Sequence, residues 1–295
     1  MQLSVKNLSK KFDHKLVVNN IDLTINEGDL VAFLGPNGAG KSTTINMLTG
    51  LIPQTSGEIA IDDLKPTDTK YHQQIGVVFQ KSVLDDDLTV KQNLQSRYGM
   101  YRNHTNNLRK WIKLFQLEPL MNQKYKTLSG GQKRCVDIAR ALIHNPKILF
   151  LDEPTTGLDI QTRSLIWDVL NQLRKNQNLT IILTTHYLEE AELANFVYVI
   201  DHGQIIAADT VNNLKQDFAQ NVLTLQLDSK NDLPQQVKNF QYQINADDVS
   251  VFIPTKNDAI NLLDSLKQEI QGFEYRRGNM DDIFLKLTGN RGNSK

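Results

Sequence analysis

Cys135 is the sole cysteine among 295 residues, which excludes an internal disulfide and a cysteine-rich zinc site and suits a reducing compartment. Charge excess is missing too, since 33 lysines plus arginines face 33 acidic residues. Proteins that coat nucleic acid carry a basic surplus, so no nucleic-acid partner is expected. Long apolar runs are equally absent. Runs such as residues 148–151 and 196–200 fall far short of the roughly 18 to 20 residues that cross a bilayer. Residues 1–6 alternate polar and apolar types without the apolar stretch of a signal peptide. The chain is therefore expected to span no membrane, and any transport path must come from another protein. No internal repeat or low-complexity segment interrupts it.

What is present is an ordinary globular composition, 40% hydrophobic and 22% charged, long enough for one large domain and one small one. Early alternation (Leu3, Val5, then Val17, Val18, Ile21, Leu23, Ile25) predicts short antiparallel strands. Residues 29–34 read as a buried strand entering a glycine-rich turn and then a helix over 43–49. Residues 84–145 are mostly helical in pattern, with polar breaks at 103–107 and 122–126, and resemble an inserted subdomain. Strands at 148–151 and 180–184 flank a helix at 161–176, which argues for a mostly parallel, helix-covered sheet. Beyond Val211 the pattern turns short and regular. Strands at 222–227, 242–244, 249–253 and 273–276 and helices at 233–240 and 259–270 give βαββαβ, the ferredoxin-like order. A last helix over 281–287 precedes a polar tail, 290–295, expected to be disordered.

Three motifs carry chemistry. Gly35-Pro36-Asn37-Gly38-Ala39-Gly40-Lys41-Ser42 fits G-x-x-x-x-G-K-[ST], the phosphate-binding loop. Its glycines let backbone N–H groups converge on phosphate oxygens, the following helix start adds partial positive charge, and Lys41 adds a full one. The Ser42 hydroxyl can ligate Mg²⁺. Further on, Ile148-Leu149-Phe150-Leu151-Asp152-Glu153 is an apolar strand ending in two carboxylates. Asp152 is placed to serve phosphate-bound Mg²⁺, and Glu153 to polarise an attacking water. Alone, such a strand end is often just a solvated turn; the upstream phosphate loop decides for function. Third, Leu128-Ser129-Gly130-Gly131-Gln132 stands directly before a helical pattern, where a hydroxyl and free N–H donors make a second anion site.

That pentapeptide, following the phosphate loop and preceding the Asp-Glu strand, is the signature of the ATP-binding cassette (ABC) proteins, and the chain is identified as resembling that family over about residues 1–215. The resemblance implies an α/β P-loop NTPase cassette, with a mixed sheet core plus antiparallel β and helical subdomains, followed by a small C-terminal α+β domain. The corresponding boundaries are 1–215 for the nucleotide-binding domain, with its helical part at about 84–145, 216–289 for the accessory domain and 290–295 for the tail. It also implies ATP and Mg²⁺ as ligands and ATP hydrolysis as the activity.

Residue by residue, Gln80 resembles the glutamine that senses Mg²⁺ and contacts the membrane partner. Asp159, in Gly157-Leu158-Asp159, resembles the acid that speaks across the dimer, and His186 the histidine that holds the γ-phosphate. The expected catalytic set is thus Glu153, His186, Gln80 and Asp159, and the metal set Ser42, Gln80 and Asp152. Nucleotide contacts are expected from Gly35 through Ser42, from Thr43, and from Ser129, Gly130, Gly131 and Gln132. Phe12 resembles the aromatic that stacks on adenine, where tyrosine is frequent, or is simply core. In this family two cassettes pair head to tail, so a homodimer, or a heterodimer with another cassette, is implied. Gly35 and Ser129 lie only 94 positions apart, too close for the coiled-coil arms of chromosome-handling members.

Two stretches, Thr184-Thr185-His186-Tyr187-Leu188-Glu189-Glu190-Ala191-Glu192 and Met280-Asp281-Asp282-Ile283-Phe284-Leu285-Lys286-Leu287-Thr288-Gly289, resemble the drug and antibiotic exporter group. That group implies a permease on a separate chain and a peripheral position on the cytoplasmic face of the cell membrane. An importer ATPase, or a soluble cassette acting on ribosomes or DNA, are the alternatives.

Overall fold

The computed structural model describes residues 1–101, 107–227, 233–245 and 248–289. The expected disordered tail and most of the polar break at 103–107 lie outside the described residues. The chain divides into two compact units, Met1–Asp209 and Thr210–Lys295.

The first unit opens with β1 (Gln2–Phe12) and β2 (Lys15–Asn26), which alternate buried and exposed residues as a one-faced antiparallel sheet requires. Then come β3 (Leu30–Leu34), α1 (Lys41–Leu48), β4 (Ser56–Ile61), α2 (Thr69–Gln74) and β5 (Ile75–Val78). The helical segment holds α3 (Val90–Gly99), α4 (Asn107–Leu114), two single 3₁₀ turns and α5 (Gly130–Leu142). The unit closes with β6 (Ile148–Asp152), α6 (Ile160–Gln177), β7 (Thr180–Thr185), α7 (Leu188–Glu192), β8 (Phe196–Asp201) and β9 (Gln204–Thr210). Strands β2-β1-β4 form one sheet, and β5-β6-β7-β3-β8-β9 the other. The first five strands of the larger sheet are parallel. β9 returns from β8 through the two residues His202 and Gly203, a connection only an antiparallel neighbour allows. Every residue of β3, β6 and β7 is buried, as expected for parallel strands covered on both faces.

This arrangement is the expected mixed-sheet cassette with an antiparallel sheet and a helical part. Helix starts follow local chemistry. α3 and α5 open on capping boxes, Thr89 with Gln92 and Ser129 with Gln132, each satisfying two otherwise unpaired donors. The helix after the glycine-rich turn begins at Lys41 rather than at 43. In the helical segment Trp111, Phe115 and Leu117 are buried.

In the second unit, α8 (Val211–Phe218) precedes β10 (Asn221–Leu227), α9 (Gln235–Lys238), β11 (Gln241–Ile244), β12 (Val249–Ile253), α10 (Lys256–Ser265), β13 (Ile270–Arg276) and α11 (Met280–Gly289). The sheet order β11-β12-β10-β13 is wholly antiparallel, the arrangement of a βαββαβ split motif. Its core is Leu223, Leu225, Val249, Val251, Ala259 and Leu262 with their neighbours. Two expected helices differ. The one read over 259–270 starts earlier, because Thr255 and Asp258 form a capping box. It ends at Ser265, and Ile270 pairs with Leu227 in the sheet instead. The helix read over 233–240 is a single turn that follows Pro234.

His144, at the end of α5, is tied to the first strand of the larger sheet. Its Nε2 lies 2.9 Å from the Ile75 carbonyl oxygen, and Tyr101 stacks on its ring. Burial, with Arg97 and Arg140 nearby, lowers its pKa from 6.5 to about 4 although the Ile75 contact opposes the shift. The folded chain keeps this imidazole neutral while the unfolded chain protonates it below about 6.5, so this contribution is whole above pH 6.5 and drains away as pH falls towards 4. Urea unfolding midpoints should decline over that window and flatten beneath it. A His144→Phe variant should lose this part of the acid slope, and an unchanged slope would refute the assignment.

Candidate functional site

The chemistry gathers at the C-terminal edge of the parallel sheet, where α/β proteins bind ligands. β3 delivers Gly35, β6 delivers Asp152 and Glu153, and β7 delivers Thr184 to His186. Register places Leu34 beside Thr185 and Asp152 beside Thr184. A cleft of about 450 Å³ results, lined by Lys15, Val17, Asn37, Gly38, Gly40, Lys41, Ser42, Thr43, Gln80, Glu153 and His186. Glycine is required at two loop positions. A Cβ on Gly35 would sit 2.1 Å from the Ile200 carbonyl oxygen, and Gly40 has φ +105° with Val17 O 2.8 Å from a Cβ.

Lys41 is buried, and its Nζ donates to Gly35 O at 2.8 Å and Pro36 O at 3.0 Å. Burial lowers its pKa, opposed by the nearby charges of Glu153 and Asp152. Ser42 Oγ donates to Asp152 Oδ1 at 3.1 Å, and the Thr184 hydroxyl donates to the same oxygen. Glu153 carries φ +47°, left-handed for a residue with a side chain. Its N–H reaches Thr184 O at 3.2 Å and Thr184 Oγ1 at 3.1 Å. Its carboxylate is held from three sides. Gln80 Nε2 donates at 3.1 Å, Thr156 Oγ1 at 3.4 Å, and His186 Nδ1 stands 3.6 Å away.

The loop thus offers backbone donors and a lysine to phosphates, while Ser42 and Asp152 offer hard oxygens at one point. Among the described residues no group of three or more His, Cys, Asp or Glu could hold a metal. Mg²⁺ normally binds through one or two carboxylates together with phosphate oxygens and water. The donor set therefore fits Mg²⁺ carried on a nucleotide.

Several expected residues lie elsewhere. Phe12 ends β1, half-exposed, with Lys10 Nζ 4.9 Å over its ring, outside the cleft lining. It is not core. Its hairpin neighbours Lys15 and Val17 do line the cleft. Ser129 caps α5, taking the Gln132 N–H at 3.2 Å while Gln132 Oε1 accepts the Ser129 N–H at 2.9 Å. Ser129 and Gly130 are exposed, and Gly131 is packed against Thr162. Gly130 lines a second hollow of about 300 Å³ that shares Gln80 and Glu153 with the first. Asp159 caps α6, taking the Thr162 N–H at 2.8 Å and its hydroxyl at 2.7 Å, and these bonds lower its pKa.

Sequence reasoning passed over Thr184 as a partner of Asp152, and Arg134 altogether. Arg134 is a buried guanidinium two residues beyond Gln132. An arginine in the second turn of the helix that the glycine pair opens was the available signal.

Fold and cleft together define a nucleotide hydrolase of the P-loop type. Residues 18–156 match the family model described as ABC transporter. The Nod factor export ATP-binding protein I of Burkholderia lata is 35% identical, covering 97% of each chain. ABC transporter A family member 7 of Dictyostelium discoideum is 33% identical over 98% of this chain but 37% of its own length. A solved dimeric ATP-binding cassette in a post-hydrolysis state, bound to ADP and phosphate, has 31% identity and a TM-score of 0.66, covering 70% of this chain and 98% of its own. The chain belongs to the ABC transporter family, as an ATP-binding subunit that hydrolyses ATP.

With the Glu153 carboxylate between Gln80 and His186, Glu153→Gln should abolish most turnover, by about a hundredfold or more, while leaving ATP binding intact. Steady-state hydrolysis and equilibrium nucleotide binding on the same preparation check this, and sustained turnover would remove Glu153 as the base.

Proposed function

We propose that this chain powers an exporter whose membrane path lies on a separate permease. The observation carrying this reading is that relatives named as export ATP-binding proteins match across 97% of the chain, through the second unit as well as the cassette. Among the described residues no helix is long and apolar enough to cross a membrane, in keeping with a peripheral subunit on the cytoplasmic face.

In this reading the loop from Gly35 to Thr43 binds the phosphates of ATP, and Lys41 neutralises them. Ser42, Asp152 and Gln80 would hold Mg²⁺, which supplies charge neutralisation on the phosphates when bound. Glu153 takes the proton of the attacking water, and His186 orients the γ-phosphate. Phe12, whose hairpin neighbours Lys15 and Val17 line the cleft, would be the adenine contact. The unit from Thr210 onwards is an accessory domain.

Ser129 and Gly130 of the signature are exposed, and no signature residue lines the phosphate-loop cleft. Ser129, Gly130, Gly131 and Gln132 would therefore complete the site of a second copy, with Asp159 on the shared face. One motif set per chain is enough for two sites in a symmetric pair, and the solved cassette of similar fold described above is dimeric. Ser129→Arg places bulk and charge at that anion site. In the Glu153→Gln background ATP should drive dimer formation on a sizing column, and adding Ser129→Arg should abolish it; a dimer that persists refutes the arrangement.

Purifying the tagged chain from its native membranes separates the functional classes. A polytopic permease of about six helices should accompany it. Ribosomes or DNA-bound proteins in its place would overturn the transport reading, and a substrate-binding protein alongside the permease would favour import.

A further inference from the structure

The loops bearing Gln80 and Glu153 both attach to a single face of α5, the helix that the signature opens. Arg134 is buried there, and its guanidinium donates to four main-chain carbonyls. Nη1 reaches Phe79 O at 2.6 Å, immediately before Gln80. Nη2 reaches Asp152 O and Glu153 O, each at 2.7 Å, and Nε reaches Pro154 O at 2.8 Å. Three residues further along α5, which is the same helix face, Asp137 Oδ1 accepts from Ser82 Oγ at 2.7 Å. Asp137 Oδ2 accepts from Tyr125 OH at 3.0 Å. Gln80 is therefore flanked on both sides by anchors to one helix, and the peptide units on either side of Glu153 share one of those anchors.

We infer that Arg134 is a positioning residue for hydrolysis, tying the signature helix to the peptide units that carry Gln80 and Glu153 so that both loops follow the helix. The inference rests on the assignment of Glu153 as base. A planar fork with five donors suits four carbonyls arriving from two loops, whereas an ammonium on a flexible stem satisfies fewer of them and fixes none of their directions. Glu153 has φ +47°, a conformation its side chain disfavours, so the turn needs outside support to hold its carboxylate between Gln80 and His186. The hydrogen bonds of the Arg134 side chain go to main-chain carbonyls, none of them in the phosphate loop. Its loss should therefore disturb the geometry of water activation and leave nucleotide binding alone. The same linkage gives contact at the signature a mechanical route to the base, because displacement of α5 displaces the carbonyls of Asp152 and Glu153.

The test uses the full-length chain with Arg134→Lys. The expected result is a fall in kcat of about tenfold or more, with KM for ATP and equilibrium ADP binding within about threefold of the parent. Because Arg134 acts through Glu153, the same substitution in the Glu153→Gln background should change the residual hydrolysis by less than about twofold. A merely structural residue would lower binding together with turnover and would add its loss in both backgrounds. A kcat within about twofold of the parent, a parallel loss of ADP binding, or additive losses would each overturn the inference. Should Arg134→Lys fail to fold by circular dichroism, Ser82→Ala decides on its exposed loop. A kcat lowered about threefold at unchanged KM supports the linkage, and an unchanged kcat overturns it. Full turnover in Glu153→Gln alone would overturn the base assignment itself, a result distinguishable because Arg134 is then intact.

Discussion

The register between β6 and β7 is the constraint on which the site depends. It sets Asp152 beside Thr184, so the Thr184 hydroxyl donates to the same carboxylate oxygen that Ser42 reaches from α1. A side chain from the first turn of α1, the helix that follows β3, is thereby brought to the one point where hard oxygens converge. Parallel strands permit this because their C-terminal ends fall on one edge, and their crossovers bury both faces. A shift of one residue would turn Asp152 to the other face of the sheet. Ser42 would then have no partner, and Glu153 would leave Gln80 and His186.

The second constraint is the division of labour along the chain. Phosphate-binding groups and the proposed base share one cleft, while the signature caps its own helix and none of its residues lines that cleft. In the capping box the Ser129 hydroxyl takes the Gln132 N–H, leaving the helix-start donors of Gly130 and Gly131 without that partner. An exposed helix start on a thirteen-residue helix next to a hollow shared with Gln80 and Glu153 suits an anion supplied from outside. The sequence motif alone carries no such direction. It becomes directional because Arg134 and Asp137 anchor α5 to the segments that carry Glu153 and Gln80.

Much of this was legible in the residues. The phosphate loop announces itself through Gly35, Gly40, Lys41 and Ser42, since their spacing answers a steric and electrostatic demand that few other residue sets meet. The buried run 148–151 and its two acids likewise locate a strand end. What was illegible depends on tertiary partners. Nothing local marks Thr184 as the residue that steadies Asp152, because that relation exists only through strand pairing. Arg134 looks like a surface cation until the carbonyls of Phe79, Asp152, Glu153 and Pro154 are seen to converge on it. The end of the helix after Thr255 was misjudged for the same reason. Leu266 and Ile270 keep the four-residue spacing that would continue it, and only the pairing of Ile270 with Leu227 claims the second of them for the sheet. The exposure of Phe12 follows from its place at the tip of a hairpin, where alternation no longer buries a side chain.

The conformation of Glu153 joins these threads. Successive residues of a strand point to opposite faces, so a strand running on past Asp152 would send Glu153 away from the cleft that Ser42 shares. Instead the chain turns at Glu153 into the left-handed region, φ +47°, which costs a non-glycine residue about 1–2 kcal/mol. The compensation is visible in the bonds around it: its N–H shared with Thr184, its carbonyl held by Arg134, and its carboxylate met by Gln80, Thr156 and His186. Glycine would adopt the turn without strain but would supply no carboxylate. A strained acid supported on every side lets two adjacent carboxylates take different partners, one Ser42 and Thr184, the other Gln80, Thr156 and His186.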